Sequence, residues 1–389
     1  MTLLPFEYAV RNLGRSPTRL VAAVTGSALV VALVLAAGGF VRGMQRSLAV
    51  SGSPDNVILL GAGSEESLER SQIGLQVAGL VAASVPGIRE RLGVQYVSPE
   101  VHMALVLKTS RDATQELPAV LRGVTPTAFL VHPQVRIVEG RAPQPGHYEL
   151  LVGRLAATRL GVPPETLAVG RTLWFDNRDW TIVGRFEAPQ TVMDAEIWCP
   201  LMELQIATRR ETTISCVILT LGDATYEDVA VFAARRLDLE LVAVRESDYY
   251  AGLARFYQPV RAMVWGTVLL IALGGLFGGL NTMYAAFAAR VRELGTLQTL
   301  GFSRTSIVVS FLQESLLATA AGGLVAAAIS LALLDGIAVR FSMGAFALNV
   351  DAVVLLTGFG AGAALAVIGI LPPLWRCLRL PIVEALRTA

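Results

Sequence analysis

Residues 20–41 read LVAAVTGSALVVALVLAAGGFV, 22 residues without a charge. A helix of that length crosses about 30 Å of hydrocarbon. Three further long apolar runs follow at 262–289, 307–334 and 352–375. Each carries Gly, Ala and Leu at irregular spacing, so none reads as an amphipathic surface helix. Composition agrees: of 389 residues, 53% are hydrophobic and 16% charged, with mean hydropathy +0.56. A soluble domain is nearer about a quarter charged. The first run is longer than the about 7–15 apolar residues of a secretory signal, and 19 residues stand before it. A retained anchor is expected.

Basic residues set the expected orientation. One side of the four runs holds Arg11, Arg15, Arg19, Arg290, Arg292, Arg304, Arg376, Arg379 and Arg387, against only Glu7, Glu293 and Glu384. Residues 43–259 hold 20 basic and 25 acidic residues. The basic side, with both termini, is expected in the cytoplasm and 43–259 on the far side of the membrane, periplasmic or extracellular. The chain then divides into an N-terminal cytoplasmic helix (1–19), the spans 20–41, 262–289, 307–334 and 352–375, a cytoplasmic loop (290–306) and a cytoplasmic tail (376–389). The fold class is a membrane protein of four transmembrane helices, with one large α+β domain between helices one and two.

Within 43–259, short strands are expected at 56–60, 94–98, 119–124, 148–152, 172–175, 180–183, 196–199, 214–221 and 239–244. Asp176-Asn177-Arg178-Asp179 is placed as a hairpin turn. Helices are expected at 75–85, 154–160 and 226–236, with a possible division into two lobes near Val124 and Val217. Ser247 reads as the N-cap of a further helix running through Tyr257 towards the second span. Cys199 and Cys216 both fall in the segment placed outside the membrane, where a bridge is chemically allowed; two buried free thiols are the favoured reading.

Catalytic chemistry is missing. Lys108 is the only lysine and no glycine stands in Met103 to Leu107 before it, so no phosphate-cradling G-x-x-x-x-G-K-[ST] loop exists in this sequence. His102, His132 and His147 are scattered without metal-ligand spacing, and His102 and His132 are expected on strand or loop surfaces. Neither a G-x-S-x-G elbow nor a paired-carboxylate pattern stands out. No enzyme activity, cofactor, metal or nucleic-acid partner is expected of the chain itself.

Between spans two and three lies RVRELGTLQTLGFSR, residues 290–304. Leu294, Leu297 and Leu300, followed by Phe302, form a short apolar stripe among Arg292, Glu293 and Arg304. Gly295 and Gly301 permit close backbone approach, and Ser303 is placed to cap the next helix. The plain reading is a connecting turn; the sharper one is a short helix that docks on a cytosolic partner.

The stretch RVRELGTLQTLGFSRTSIVVSFLQESLLATAAGG (290–323) resembles the signature of FtsX-like and MacB-like permeases, a family that includes lipoprotein-releasing permeases. YAVRNLGRSPTRL, LRGVTPTAF, VEGRAPQPGHYELLVGRLAATRLGV and PIVEALR extend the resemblance in the family's order over nearly the whole chain. It implies a permease subunit of a type VII ABC transporter, paired with two copies of a separate cytoplasmic ATPase that binds the ATP and Mg²⁺. It also implies a second permease copy or paralogue. The loop between spans two and three would be the coupling helix, a role that falls on Arg292, Glu293, Leu294, Leu297, Leu300, Gly301, Phe302 and Arg304. Work would be done by mechanotransmission, substrate being handled on the outer side. Export or efflux, with a periplasmic adaptor and outer-membrane channel, is the favoured expectation. Lipoprotein or lipid extraction and a non-transporting relay to a cell-wall hydrolase are the alternatives.

Inside the apolar runs, Glu314 is costly unless partnered. A hydrogen bond to a neighbouring helix is the favoured role and a conformational switch the alternative. Gly274, Gly275, Gly278 and Gly279 on the second span, and Gly358 and Gly362 on the fourth, form small-xxx-small pairs for packing within the membrane, either inside one subunit or across a dimer.

Overall fold

The computed structural model describes residues 6–15, 17–288, 291–341 and 344–379. The chain forms two compact units, one of Met1–Arg42, Pro259–Ile337 and Leu348–Ala389, the other of Gly43–Gln258 and Ala338–Ala347. The helices are α1 Phe6–Gly14, α2 Pro17–Ser51, α3 Val77–Ser84, α4 Ala128–Val131, α5 Ala156–Leu160, α6 Leu201–Ala207, α7 Tyr226–Arg235, α8 Glu246–Phe256, α9 Gln258–Ala288, α10 Val291–Thr299, α11 Arg304–Leu333 and α12 Ala352–Leu378.

Among the described residues of the first unit, α2, α9, α11 and α12 are the helices long and apolar enough to cross a membrane. Val31 and Leu35 of α2 pack with Ala326 and Ala327 of α11 and Val354 of α12. Small residues set the approach. A Cβ on Gly358 would lie 2.6 Å from Leu35 Cδ2, and one on Gly362 3.0 Å from Val31 Cγ2. Among the described residues, Val268 of α9 is buried against Val34 and Ala37 of α2.

The second unit is built on β1 Asn56–Gly61, β2 Ile73–Gly74, β3 Glu90–Arg91, β4 Val94–Gln95, β5 Val97–Leu107, β6 Leu117–Val124, β7 Arg136–Gly140 and β8 Glu149–Gly153. It continues with β9 Thr172–Phe175, β10 Arg178–Glu187, β11 Ile197–Pro200, β12 Thr213–Ile214, β13 Cys216–Thr220, β14 Leu241–Arg245, β15 Ala338–Phe341 and β16 Gly344–Ala347. Ten strands form one sheet in the order β14-β1-β13-β5-β6-β11-β8-β10-β7, with β9 on β10. Its long strand β5 changes partners midway. Val97–Glu100 pair with β13, whereas Val101–Leu107 pair with β6. The two lobes expected from the sequence therefore share one strand instead of being separated. Asp176 and Asn177 turn the β9–β10 hairpin with φ of 50° and 55°, the left-handed pair that such a turn requires.

Several elements differ from the sequence reading, among them helix α6 and the second half of β5, Val101–Leu107, neither of which was expected. Strand β7, with no buried residue, has no alternating apolar signal. The hairpin β15–β16, between the third and fourth long helices, belongs to the α+β unit and packs against α5 and the turn Val192–Ala195. A Cβ on Gly43 would stand 2.3 Å from Ala347 O, so only glycine fits there. Helix α8 starts at Glu246 with Arg245 at its N-cap, not Ser247, and it stops at Phe256. Tyr257 interrupts the expected continuous helix before α9 begins.

Candidate functional site

Helix α10 and its exit carry the expected coupling residues, and the structure divides them by face. Leu294 and Leu297 are buried, with Ile307 and Phe311 of α11 and Ile370, Leu374 and Leu378 of α12. Leu300 is 70% exposed and Leu297 9%. The expectation that the apolar stripe as a whole docks on a partner is therefore corrected: Leu297 is committed to its own chain, and Leu300 is exposed and able to meet another. Arg292, Glu293, Thr296, Thr299, Gly301 and Arg304 are exposed beside Leu300. The helix ends as a Schellman turn: Gly301 has φ 87°, Gly301 N–H donates to Gln298 O and Phe302 N–H to Leu297 O, while Phe302 packs on the Leu297 cluster. Ser303 caps α11 by accepting from Ser306 N–H at 3.2 Å.

Glu314, one turn beyond Phe311's level on α11, is buried at 5% exposure and accepts a hydrogen bond from Asn12 Nδ2 of α1. Gly358 and Gly362 face α2 within the same chain. A Cβ on Gly275 would make ordinary contact with Val30, and one on Gly274 would meet nothing within 4 Å. The surroundings of Gly278 and Gly279 lie outside the described residues.

A second constellation was not legible in the sequence. Where β5 changes partners, Glu100 is fully buried and its carboxylate accepts from Ser98 Oγ (2.9 Å) and Arg122 Nη1 (2.7 Å); His102 Nε2 (3.1 Å) and His132 Nε2 (3.0 Å) also reach it. Arg122 forks onto Glu196 at 2.7 and 2.8 Å, and Trp198 Nε1 donates to the same carboxylate at 2.9 Å. Burial works against both carboxylates. The Arg122 guanidinium outweighs it at Glu196, which falls to about 2, and His132 and Arg122 hold Glu100 well below the usual range. Burial and Arg122 together lower His102. His102 and His132, expected on surfaces, are thus interior. Next to this seam, Glu246 at the start of α8 accepts from Ser53 N–H and Asn56 Nδ2, both at 2.9 Å, and burial raises its pKa. The carboxylate thereby ties the residues that follow α2 to the helix that precedes α9. Runs such as SPEVH give no warning of this, because a Glu and a His two apart on a strand look like a solvated face until both faces are covered.

Glu100, His102 and Cys216 bring a carboxylate, an imidazole and a thiol within 4.8 Å of one another. They are poorly suited to a cation. Arg122 already occupies Glu100, and burial and Glu100 raise the Cys216 thiol, so its thiolate is disfavoured. Cys199 and Cys216 are both buried free thiols, without a bridge. Chemically, the seam holds two half-sheets in register. It offers no open position for a substrate.

Two family models match in sequence order, a MacB-like periplasmic core domain over residues 20–237 and an FtsX-like permease C-terminal region over 265–382. The macrolide export ATP-binding/permease protein MacB of Bradyrhizobium diazoefficiens is 22% identical over 215 residues, half of this chain and 33% of that protein. The protein of the same name from an Azoarcus species is 29% identical over 124 residues, 31% of this chain and 19% of that protein. The chain therefore spans a third or less of the length of these relatives. Among solved structures, the periplasmic region of MacB from Actinobacillus actinomycetemcomitans is 12% identical with TM-score 0.38, covering 51% of this chain and 91% of that one. The extracellular domain of the noncanonic ABC-type transporter YknZ from Gram-positive bacteria is also 12% identical, with TM-score 0.34, covering 49% and 99%. Likeness at that level decides nothing, but the two models together cover most of the sequence on either side of residue 250. The chain belongs to the MacB/FtsX-like family of ABC transporter permeases.

Proposed function

We propose that this chain is the membrane subunit through which a separate cytoplasmic ATPase, two copies per complex, drives movement of the α+β unit for export by mechanotransmission. A second permease copy, homologous or identical, completes the complex, and a periplasmic adaptor and outer-membrane channel extend it. The protein sits in the inner membrane with its termini and α10 in the cytoplasm. One observation carries the reading: α10 exposes Leu300 among Arg292, Glu293 and Arg304 while Leu294 and Leu297 anchor it to α11 and α12. A short helix rigidly mounted on two long helices, with a mixed charged and apolar outer face, suits a load-bearing contact with a partner. Glu246, between the ends of the two helices that frame the α+β unit, suits the other end of such a lever.

Leu300→Asp tests it. Burying one leucine contributes about 1.5–3 kcal/mol, so its loss weakens the contact about tenfold to a hundredfold at about 1.4 kcal/mol per decade. The variant is expected at normal membrane levels with little co-purifying ATPase. Retention of the ATPase at wild-type stoichiometry would reduce α10 to a connector.

A further inference from the structure

One face of α12 changes chemistry along its length. Leu371 and Pro372 come first, Trp375 next, then Arg376 and Arg379, and together they line an open cavity of about 440 Å³. Pro372, Trp375, Arg376 and Arg379 follow the three-to-four residue spacing of one helical face. Arg376 and Arg379 are the first charges after the apolar run 352–375, which puts them at the boundary between hydrocarbon and headgroups. Trp375, 61% exposed, has the ring that favours that boundary. Both guanidiniums are braced by rings: Arg376 lies over Tyr284 of α9 at 6.0 Å and Arg379 over Trp375 at 5.1 Å. Neither has an acidic partner among the described residues. Two like charges three residues apart repel unless an anion lies between them. Pro372 and Pro373 donate no N–H, which leaves the carbonyls of Ile368 and Gly369 free of their helical donors and able to accept from a hydroxyl.

We propose that this face is a binding site for one anionic phospholipid, with its phosphate between Arg376 and Arg379, its glycerol region at Trp375 and an acyl chain along Leu371 and Pro372. The order of chemistries on the helix is the order along a phospholipid. A free phosphate would satisfy the arginines but leave the apolar half of the cavity unused, so the lipid is the source the lining favours. The site holds the end of α12 to the membrane, on the helix face turned away from the Leu294–Leu374 cluster.

The full chain is purified in mild detergent and titrated with phosphatidylglycerol or phosphatidylcholine, bound lipid being counted by native mass spectrometry. One phosphatidylglycerol is expected per chain, at least about tenfold tighter than phosphatidylcholine. Arg376→Gln/Arg379→Gln is expected to lose that preference and Arg376→Lys/Arg379→Lys to keep most of it. Brominated phosphatidylglycerol is expected to quench tryptophan fluorescence more than brominated phosphatidylcholine, the excess vanishing in Trp375→Phe. Equal affinity for the two lipids, a preference that survives the Gln variant, or displacement of the lipid by millimolar inorganic phosphate overturns the proposal. Should the Gln variant misfold, the quenching comparison decides alone: no excess with the brominated anionic lipid sinks the site.

Discussion

Leu297 and Leu300 are three residues apart with the same side chain, and their environments give them opposite duties. Placing a carboxylate at Leu297 forfeits its burial against α11 and α12 and opens the cluster that mounts α10; core truncations of leucine alone cost about 2–5 kcal/mol. Leu297→Asp is therefore expected to lower the melting temperature of the detergent-solubilised chain by several degrees, whereas Leu300→Asp leaves it within about a degree. Equal melting shifts would mean that the division of faces is wrong. Spacing alone could not separate the two: each three-residue step falls about 60° short of a full turn, so Leu300, whose N–H still bonds Thr296 O, stands past the edge of the face that Leu294 and Leu297 bury. At Glu314 the sequence was more informative, because a lone carboxylate in an apolar run requires a partner. It could not name Asn12, which is 302 positions away.

At the scale of elements, most strands and all four long helices were readable from apolar periodicity and run length, since burial on one or both faces leaves that imprint. What escaped were the exposed strand Arg136–Gly140, short apolar stretches too brief to show a period such as Leu201–Ala207 and Gly344–Ala347, and the seam, whose Glu100, Arg122 and Glu196 look like surface residues in isolation. The seam gives the α+β unit an acid sensitivity. Glu196 titrates near 2 when folded and near 4.5 when free, so the stability it contributes is present above about 4.5 and is lost as pH falls towards 2; Glu100 acts in the same sense. His102 is held below its ordinary 6.5, so protonation penalises the fold as pH falls through that value. Glu246, raised above 4.5, works in the opposite direction and is most favourable below that value. With two carboxylates and a histidine against one carboxylate, melting temperature is expected to decline from about pH 6.5 and most steeply between about 4.5 and 2. Glu196→Gln should flatten the lower limb; a wild-type acid limb unchanged by that substitution would show that the seam does not govern it.

For the whole molecule, the distribution of arginines gives a direct test of topology. In a cysteine-free background, cysteines at Ser64 and Asn177 are expected to react with an impermeant thiol reagent on intact spheroplasts, and a cysteine at Ser303 to stay unlabelled. The reverse pattern would invert the protein and remove α10 from the ATPase's compartment. The sheet order has a further consequence for how the chain is made. Strand β1 lies between β13 and β14, so both its hydrogen-bonding neighbours come from the far end of the α+β unit. Val57 to Leu60, among the most deeply buried residues, leave the ribosome before every other strand of the sheet and find their partners only when Cys216–Thr220 and Leu241–Arg245 have followed. At about 5–20 residues per second this strand waits on the order of ten seconds, apolar on both faces and unpaired. The nascent chain thus carries an unpaired segment, apolar on both faces, until synthesis of the unit is nearly complete, and a holding factor has a defined stretch to protect.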